Sequence, residues 1–109
     1  MERKQFIYVI KPIPNLLIED NWTKKEEDII NRHFQYLKNL LHKGKLILAG
    51  KTDGLDEKTF GIVIIEAKSN EEAEDIMNND PGVLEGIMIP KLYNYSVAIM
   101  KKLIKVFYL

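Results

Sequence analysis

Apolar and polar positions alternate with two different periods along this chain, and the places where the period changes mark its elements. From Gln5 to Ile10 the run QFIYVI is aromatic and β-branched, which predicts a strand, and Pro12 and Pro14 end it. Asn15–Trp22 has no clear period and reads as a connector. At Thr23 the period turns helical. Ile29, Ile30, His33, Phe34, Leu37, Leu40 and Leu41 recur at helical spacing and form one broad apolar stripe. The preceding T-K-K-E has the spacing of a capping box, with Thr23 at the N-cap and Glu26 closing it, and Gly44 suits the position just past the helix end. Lys45–Ala49 predicts a second strand. Lys51–Lys58 is polar, with the turn signal Asp53-Gly54, and Thr59–Ala67 predicts a third strand. Ser69 opens a second helix, capped against Glu72, whose inner face is Ala73, Ile76 and Met77. That helix must end by Asp80, because proline at 81 disfavours the helical conformation in the residue before it. From Ile87 the chain is extended again. Tyr93, Tyr95, Val97 and Ile99 alternate with Asn94, Ser96, Ala98 and Met100, which predicts a long fourth strand. The tail 101–109 reads as a further strand or a short helix.

The order β-α-β-β-α-β is most commonly solved as an α+β, ferredoxin-like sandwich: a four-stranded antiparallel sheet with both helices on one face. The strands add a second expectation. Phe6, Tyr8 and Ile10 fall on one face of the first strand, but Ile7 and Val9 fall on the other; Phe60, Ile62 and Ile64 likewise oppose Val63 and Ile65. A sheet with one wet face should alternate apolar with polar. Here both faces are apolar and the helices cover only one, so the open face calls for a partner. A second copy of the chain, sheet against sheet about a two-fold axis, is the simplest.

Composition narrows the function classes. The chain has 109 residues, enough for a single domain spanning 1–109, and its apolar fraction of 46% fits a packed core. Lys+Arg and Asp+Glu are equal at 16 each, which argues against nucleic acid as a partner, since that wants a basic stripe. There is no cysteine, so disulfides and thiolate metal sites are out. The run MERKQFIYVIKP is too short in its apolar part for a signal peptide or a spanning helix, so no membrane partner is expected and the reading is cytoplasmic.

Chemistry then concentrates on His33. Lying four residues after Ile29 and four before Leu37, it points towards the core or its rim. It is either a core histidine bonded to a carbonyl or a working acid–base group, and the second role needs a carboxylate to fix its tautomer. Asp80 in N-N-D-P-G is the candidate. In a ferredoxin-like sandwich the helices run antiparallel, so the end of the second and the first half of the first share one end of the sheet. Asp80 has its own structural reading as a turn initiator before proline. His42 sits in the last helical turn, where it suits the dipole; two histidines nine residues apart on one helix converge poorly, so no metal is expected. Tyr93, Tyr95 and Tyr108 suit a pocket lining or, more simply, core and interface packing. No phosphate loop, dinucleotide fingerprint or nucleophile elbow is present.

His33 through Leu37, Leu41, Gly44, Leu46 and Ala49-Gly50, followed by Asp80-Pro81 and Gly86, resembles the YciI-like family of the dimeric α+β barrel group. The resemblance implies a homodimer whose sheets pack into a barrel-like core, and a site centred on His33 and Asp80. Some relatives remove a halide or rearrange small ring compounds; most have no assigned reaction. Lys51 departs from the pattern, following Ala-Gly where many relatives have proline, and the loop before the third strand is short. The expectation is therefore a small cofactor-independent enzyme of lyase, dehydrohalogenase or isomerase type, using a His33–Asp80 acid–base pair on a small organic substrate. The competing expectations are a non-catalytic module of the same fold that binds a small molecule or a protein, and an isomerase or monooxygenase of the wider barrel group.

Overall fold

The computed structural model describes residues 4–101. Strands β1 (Lys4–Pro12), β2 (Leu46–Lys51), β3 (Gly61–Ala67) and β4 (Met88–Asn94) form one sheet in the order β2-β3-β1-β4. All neighbours are antiparallel, which is the ferredoxin-like arrangement. Helices α1 (Lys24–His42) and α2 (Asn70–Asn78) pack on one face, and a single helical turn, α3 (Pro81–Leu84), follows α2 directly.

The elements form where local chemistry asks for them. Thr23 caps α1: its backbone N–H donates to Glu26 Oε1 at 2.9 Å, and its hydroxyl pairs with the same carboxylate. At the other end Gly44 adopts φ +74°, a conformation that costs other residues strain, so the chain can reverse and Lys45 N–H can reach the Leu40 carbonyl at 2.9 Å. Ser69 caps α2 through its hydroxyl, which accepts from Glu72 N–H at 3.1 Å.

The core follows the strand alternation. Phe6, Tyr8 and Ile10 of β1 and Val63, Ile65 and Ala67 of β3 point at the helices and meet Leu37, Leu40, Ala73, Ile76 and Met77. Burying each large aliphatic side chain here stabilises the fold by about 1.5–3 kcal/mol. On α1 the buried stripe is Ile29, His33, Leu37 and Leu40, narrower than the sequence pattern. Phe34 and Leu41 are left exposed, and both border a cavity.

The register of β2 has a bulge at Ile47. Leu46 pairs with Ile65, but Leu48 pairs with Ile64, so the facing of β2 switches within two residues. Ala49 and Lys51, opposite Val63 and Gly61, therefore lie on the helix side; Leu48 and Gly50 lie on the open side.

Two expectations need correction. The fourth strand runs over Met88–Asn94 and does not extend to Met100. Among the described residues, pairing with β1 ends at Phe6↔Asn94, and beyond it Tyr95 N–H donates to the Gln5 carbonyl and Val97 N–H to the Gln5 side chain. The helical turn α3 has no counterpart in the sequence pattern, which reads Asp80-Pro81-Gly82 as a turn. The expectations for 102–109, Tyr108 among them, lie outside the described residues. No helix among the described residues is long and apolar enough to cross a membrane.

Candidate functional site

The site is built around Asp80. Proline at 81 keeps Asp80 out of the helical region, at φ −62° and ψ 124°, and makes it the N-cap of α3 with Pro81 as the first helical residue. Its Oδ1 accepts from Gly82 N–H at 3.0 Å. Gly82 packs its backbone on Met88, whose sulfur would lie 2.5 Å from an added Cβ. Gly86, at φ +77°, then turns the chain into β4.

Two side chains from other elements reach the same carboxylate. His33 comes from the buried stripe of α1, with Nδ1 2.6 Å from Asp80 Oδ1. Tyr8 comes from β1, one of the two central strands, and its hydroxyl donates to Asp80 Oδ2 at 2.7 Å. Asp80 and Tyr8 are fully enclosed, and His33 is 5% exposed. Burial first, then the charge and hydrogen bond of Asp80, push the Tyr8 phenol far above its ordinary pKa, so it stays a neutral donor. Tyr36 donates to the Ile76 carbonyl at 2.6 Å; burial, then the charge of Asp80, push it up to about 12.

The geometry sets the tautomer. A carboxylate that accepts from Gly82 and Tyr8 also accepts from His33, so in the neutral ring Nδ1 carries the proton and Nε2 the lone pair. No buried side-chain nitrogen or oxygen among the described residues lacks a partner, and Nε2 has no bond among them. Nε2 is therefore the ring atom that reaches open space. His33 also stands in the wall of a cavity of about 640 Å³, within the usual size of a small-molecule site. Most of its lining is apolar, from α1, β2 and the start of β3, with Trp22, Ile87 and Met88 nearby.

Outside the cavity, Arg32 pairs with Asp28 at 3.1 Å and with Glu85, and so ties α1 to the residue just after α3. The Arg32 guanidinium holds the Glu85 carboxyl below the usual carboxylate range.

The structure thus brings His33 and Asp80 into direct contact. It does not bring His42, exposed at the end of α1, to the same place. Tyr93 is half-exposed on the open face, and Tyr95 borders a separate polar hollow of about 820 Å³; neither lines the His33 cavity. No three His, Cys, Asp or Glu side chains converge among the described residues. Tyr8 is the member that sequence reasoning missed. It read as one of three alternating inward residues, and its only local signal was a hydroxyl on a central strand, which needs a partner when buried.

The chain is similar in structure to 5-chloro-2-hydroxyhydroquinone dehydrochlorinase from Burkholderia phenoliruptrix AC1100, solved in complex with 2,5-dihydroxybenzoquinone. The two are 26% identical, the match covers 84% of this chain and 93% of that one, and the TM-score is 0.64. No curated protein matches the chain. The family model of the YCII-related domain matches residues 5–91, well over half of the sequence, and the chain belongs to that family.

Proposed function

We propose that this protein is a cofactor-independent enzyme of lyase or isomerase type acting on a small ring compound, with His33 as its proton carrier and Asp80 as the group that orients it. The observation that carries this reading is the His33–Asp80 contact at 2.6 Å in the wall of an apolar cavity, with Nε2 left without a bond among the described residues. The similarity to a dehydrochlorinase supports it.

In a dehydrohalogenation Nε2 takes a proton from a hydroxyl or carbon of the substrate. The electron pair left behind forms the new double bond, and the halide leaves with the electrons of its own bond, so the net loss is one hydrogen halide and no oxidant is needed. In an isomerisation the imidazolium returns the proton to a different carbon. In both, Asp80 stabilises the imidazolium through Nδ1–H, and Tyr8 and Gly82 hold the carboxylate in place. The protein acts as a homodimer joined through the open sheet face.

The test is turnover of halogenated hydroquinones, enols and lactones, followed by halide release and absorbance. Asp80→Asn keeps the shape and removes the charge. His33→Gln is preferred to alanine because His33 is enclosed, and truncation would leave an Asp80 lone pair unmet. Each variant should lose about a hundred- to ten-thousand-fold in turnover, the usual contribution of general acid–base catalysis, while its circular dichroism spectrum stays native. Activity that falls only in step with the folded fraction would make His33 a core residue and favour the binding-module reading.

A further inference from the structure

We infer that the His33 cavity selects an organic anion on an apolar ring, such as a phenolate, enolate, carboxylate or sulfonate, through Lys11, Lys38 and Lys51. This rests on reading the cavity as the substrate site. The charges that line it are unbalanced. Among the described residues Lys11, Lys38 and Lys51 contribute to the wall and no aspartate or glutamate does, in a chain with 16 basic and 16 acidic residues. The separate polar hollow shows what balance looks like: there Lys4 and Lys68 are matched by Glu66 and Glu71.

Each lysine comes from a different element. Lys38 lies one turn after Phe34 on α1, and both line the cavity. Lys51 stands on the helix side of β2, opposite Gly61, because the bulge at Ile47 shifts the facing of the strand; with regular alternation from Leu46 it would face the other way. Lys11, the last residue but one of β1, pairs with Ile89 on the open side of the sheet, where Leu48, Gly50 and Ile62 also line the cavity. Among the described residues none of the three is in an ion pair, unlike Lys45, which meets Glu72 at 3.8 Å. The Lys51 ammonium donates instead to the Thr52 carbonyl at 2.7 Å. The acids nearest in sequence, Asp53, Asp56 and Glu57, do not line the cavity, and Asp56 turns its carboxylate back on Lys58 N–H at 2.7 Å. Cations on low-dielectric walls draw an anion in. They also stabilise the negative charge that builds on a substrate as Nε2 removes its proton.

Trp22, the sole tryptophan of the chain, lines the cavity and serves as a built-in reporter. The full chain is titrated with anilinonaphthalene sulfonate, an anion on aromatic rings, and with the neutral phenylnaphthylamine, reading energy transfer from Trp22. Exposed lysines each contribute a few-fold, so at low salt the anion should bind about tenfold more tightly than the neutral probe. The gap should close in about 0.5 M salt, where the Debye length falls to roughly 4 Å. The triple variant Lys11→Gln, Lys38→Gln, Lys51→Gln should lose the preference and keep the neutral probe's affinity; all three side chains are exposed, so the fold should survive. Ala49→Phe, which fills the cavity from β2, should abolish both signals. Equal binding of the two probes, a triple variant that still prefers the anion, or transfer that persists in Ala49→Phe would overturn the inference. Probe binding does not require His33 chemistry. An anion preference without turnover would sink the catalytic reading alone, and turnover that favours neutral substrates would sink the anion site alone.

Discussion

Asp80 is a fully enclosed carboxylate with donors from three separate parts of the chain, and each donor removed leaves a lone pair without water to replace it. Tyr8→Phe is the cleanest probe, because it deletes one hydroxyl and keeps the ring in the core. The expected loss is about 1–3 kcal/mol of stability, measured by urea or thermal unfolding, with the cavity retained. No loss would mean that Asp80 Oδ2 does not depend on the Tyr8 hydroxyl. At this scale the sequence was informative where a side chain broke its local pattern. His33 interrupts a stripe of aliphatic residues, and Asp80 precedes a proline; each stands out on its own. Tyr8 fits its strand pattern perfectly well, and its partner lies 72 residues away, so nothing local could announce the bond.

Elements whose period ran for many residues were legible, and those shorter than one period were not. The stripe of α1 and the alternation of β1 and β3 were long enough to identify. The turn α3 is four residues long, and Asp-Pro-Gly has the same signature whether it opens a turn or caps a helix. Yet α3 matters, since it fixes Asp80 against α1, and Arg32–Glu85 fastens its far end. The pH dependence of that tie has a definite sign. Glu85 titrates lower in the folded chain than its ordinary value of 4.5, because of the Arg32 hydrogen bond. Its contribution is therefore complete above pH 4.5 and is lost as the pH falls through the lower, folded-state value. Arg32→Gln should lower the melting temperature modestly at neutral pH, the pair being exposed, and the difference from wild type should vanish in acid. A difference that grows on acidification would contradict the assignment. The β2 bulge was invisible for another reason: one extra residue in an apolar run leaves no mark until the strand has a partner to be out of register with.

The whole molecule presents two faces of one sheet in different states. The helix side is covered by α1 and α2 except over β2, where the His33 cavity lies. On the other side Ile7, Val9 and Ile62 are half-buried, while Leu48, Ile89 and Tyr93 are 40%, 47% and 49% exposed. Register places these residues side by side: Ile7 is flanked by Ile64 and Tyr93, and Val9 by Ile62 and Lys91. An apolar face of this kind, interrupted by Lys91 and Lys11, suits an interface with a second copy. Val63 cannot test this, because it is 1% exposed on the helix side, so Val63→Asp would break the core whatever the oligomeric state. Val9→Lys is the informative change. Val9 sits at the centre of the open face, on a central strand, and does not line the His33 cavity. If that face meets a second copy, the buried lysine should drive the chain to monomers at micromolar concentration by light scattering, and the melting temperature should become independent of protein concentration. If the face meets only water, a lysine there should change stability by no more than about 0.5 kcal/mol and leave the mass unchanged, and a wild-type chain that already scatters as a monomer would remove the dimer altogether. The same variant also separates assembly from chemistry. It leaves Tyr8, His33 and Asp80 untouched, so any turnover it loses along with its partner would show that the cavity needs the second copy to close.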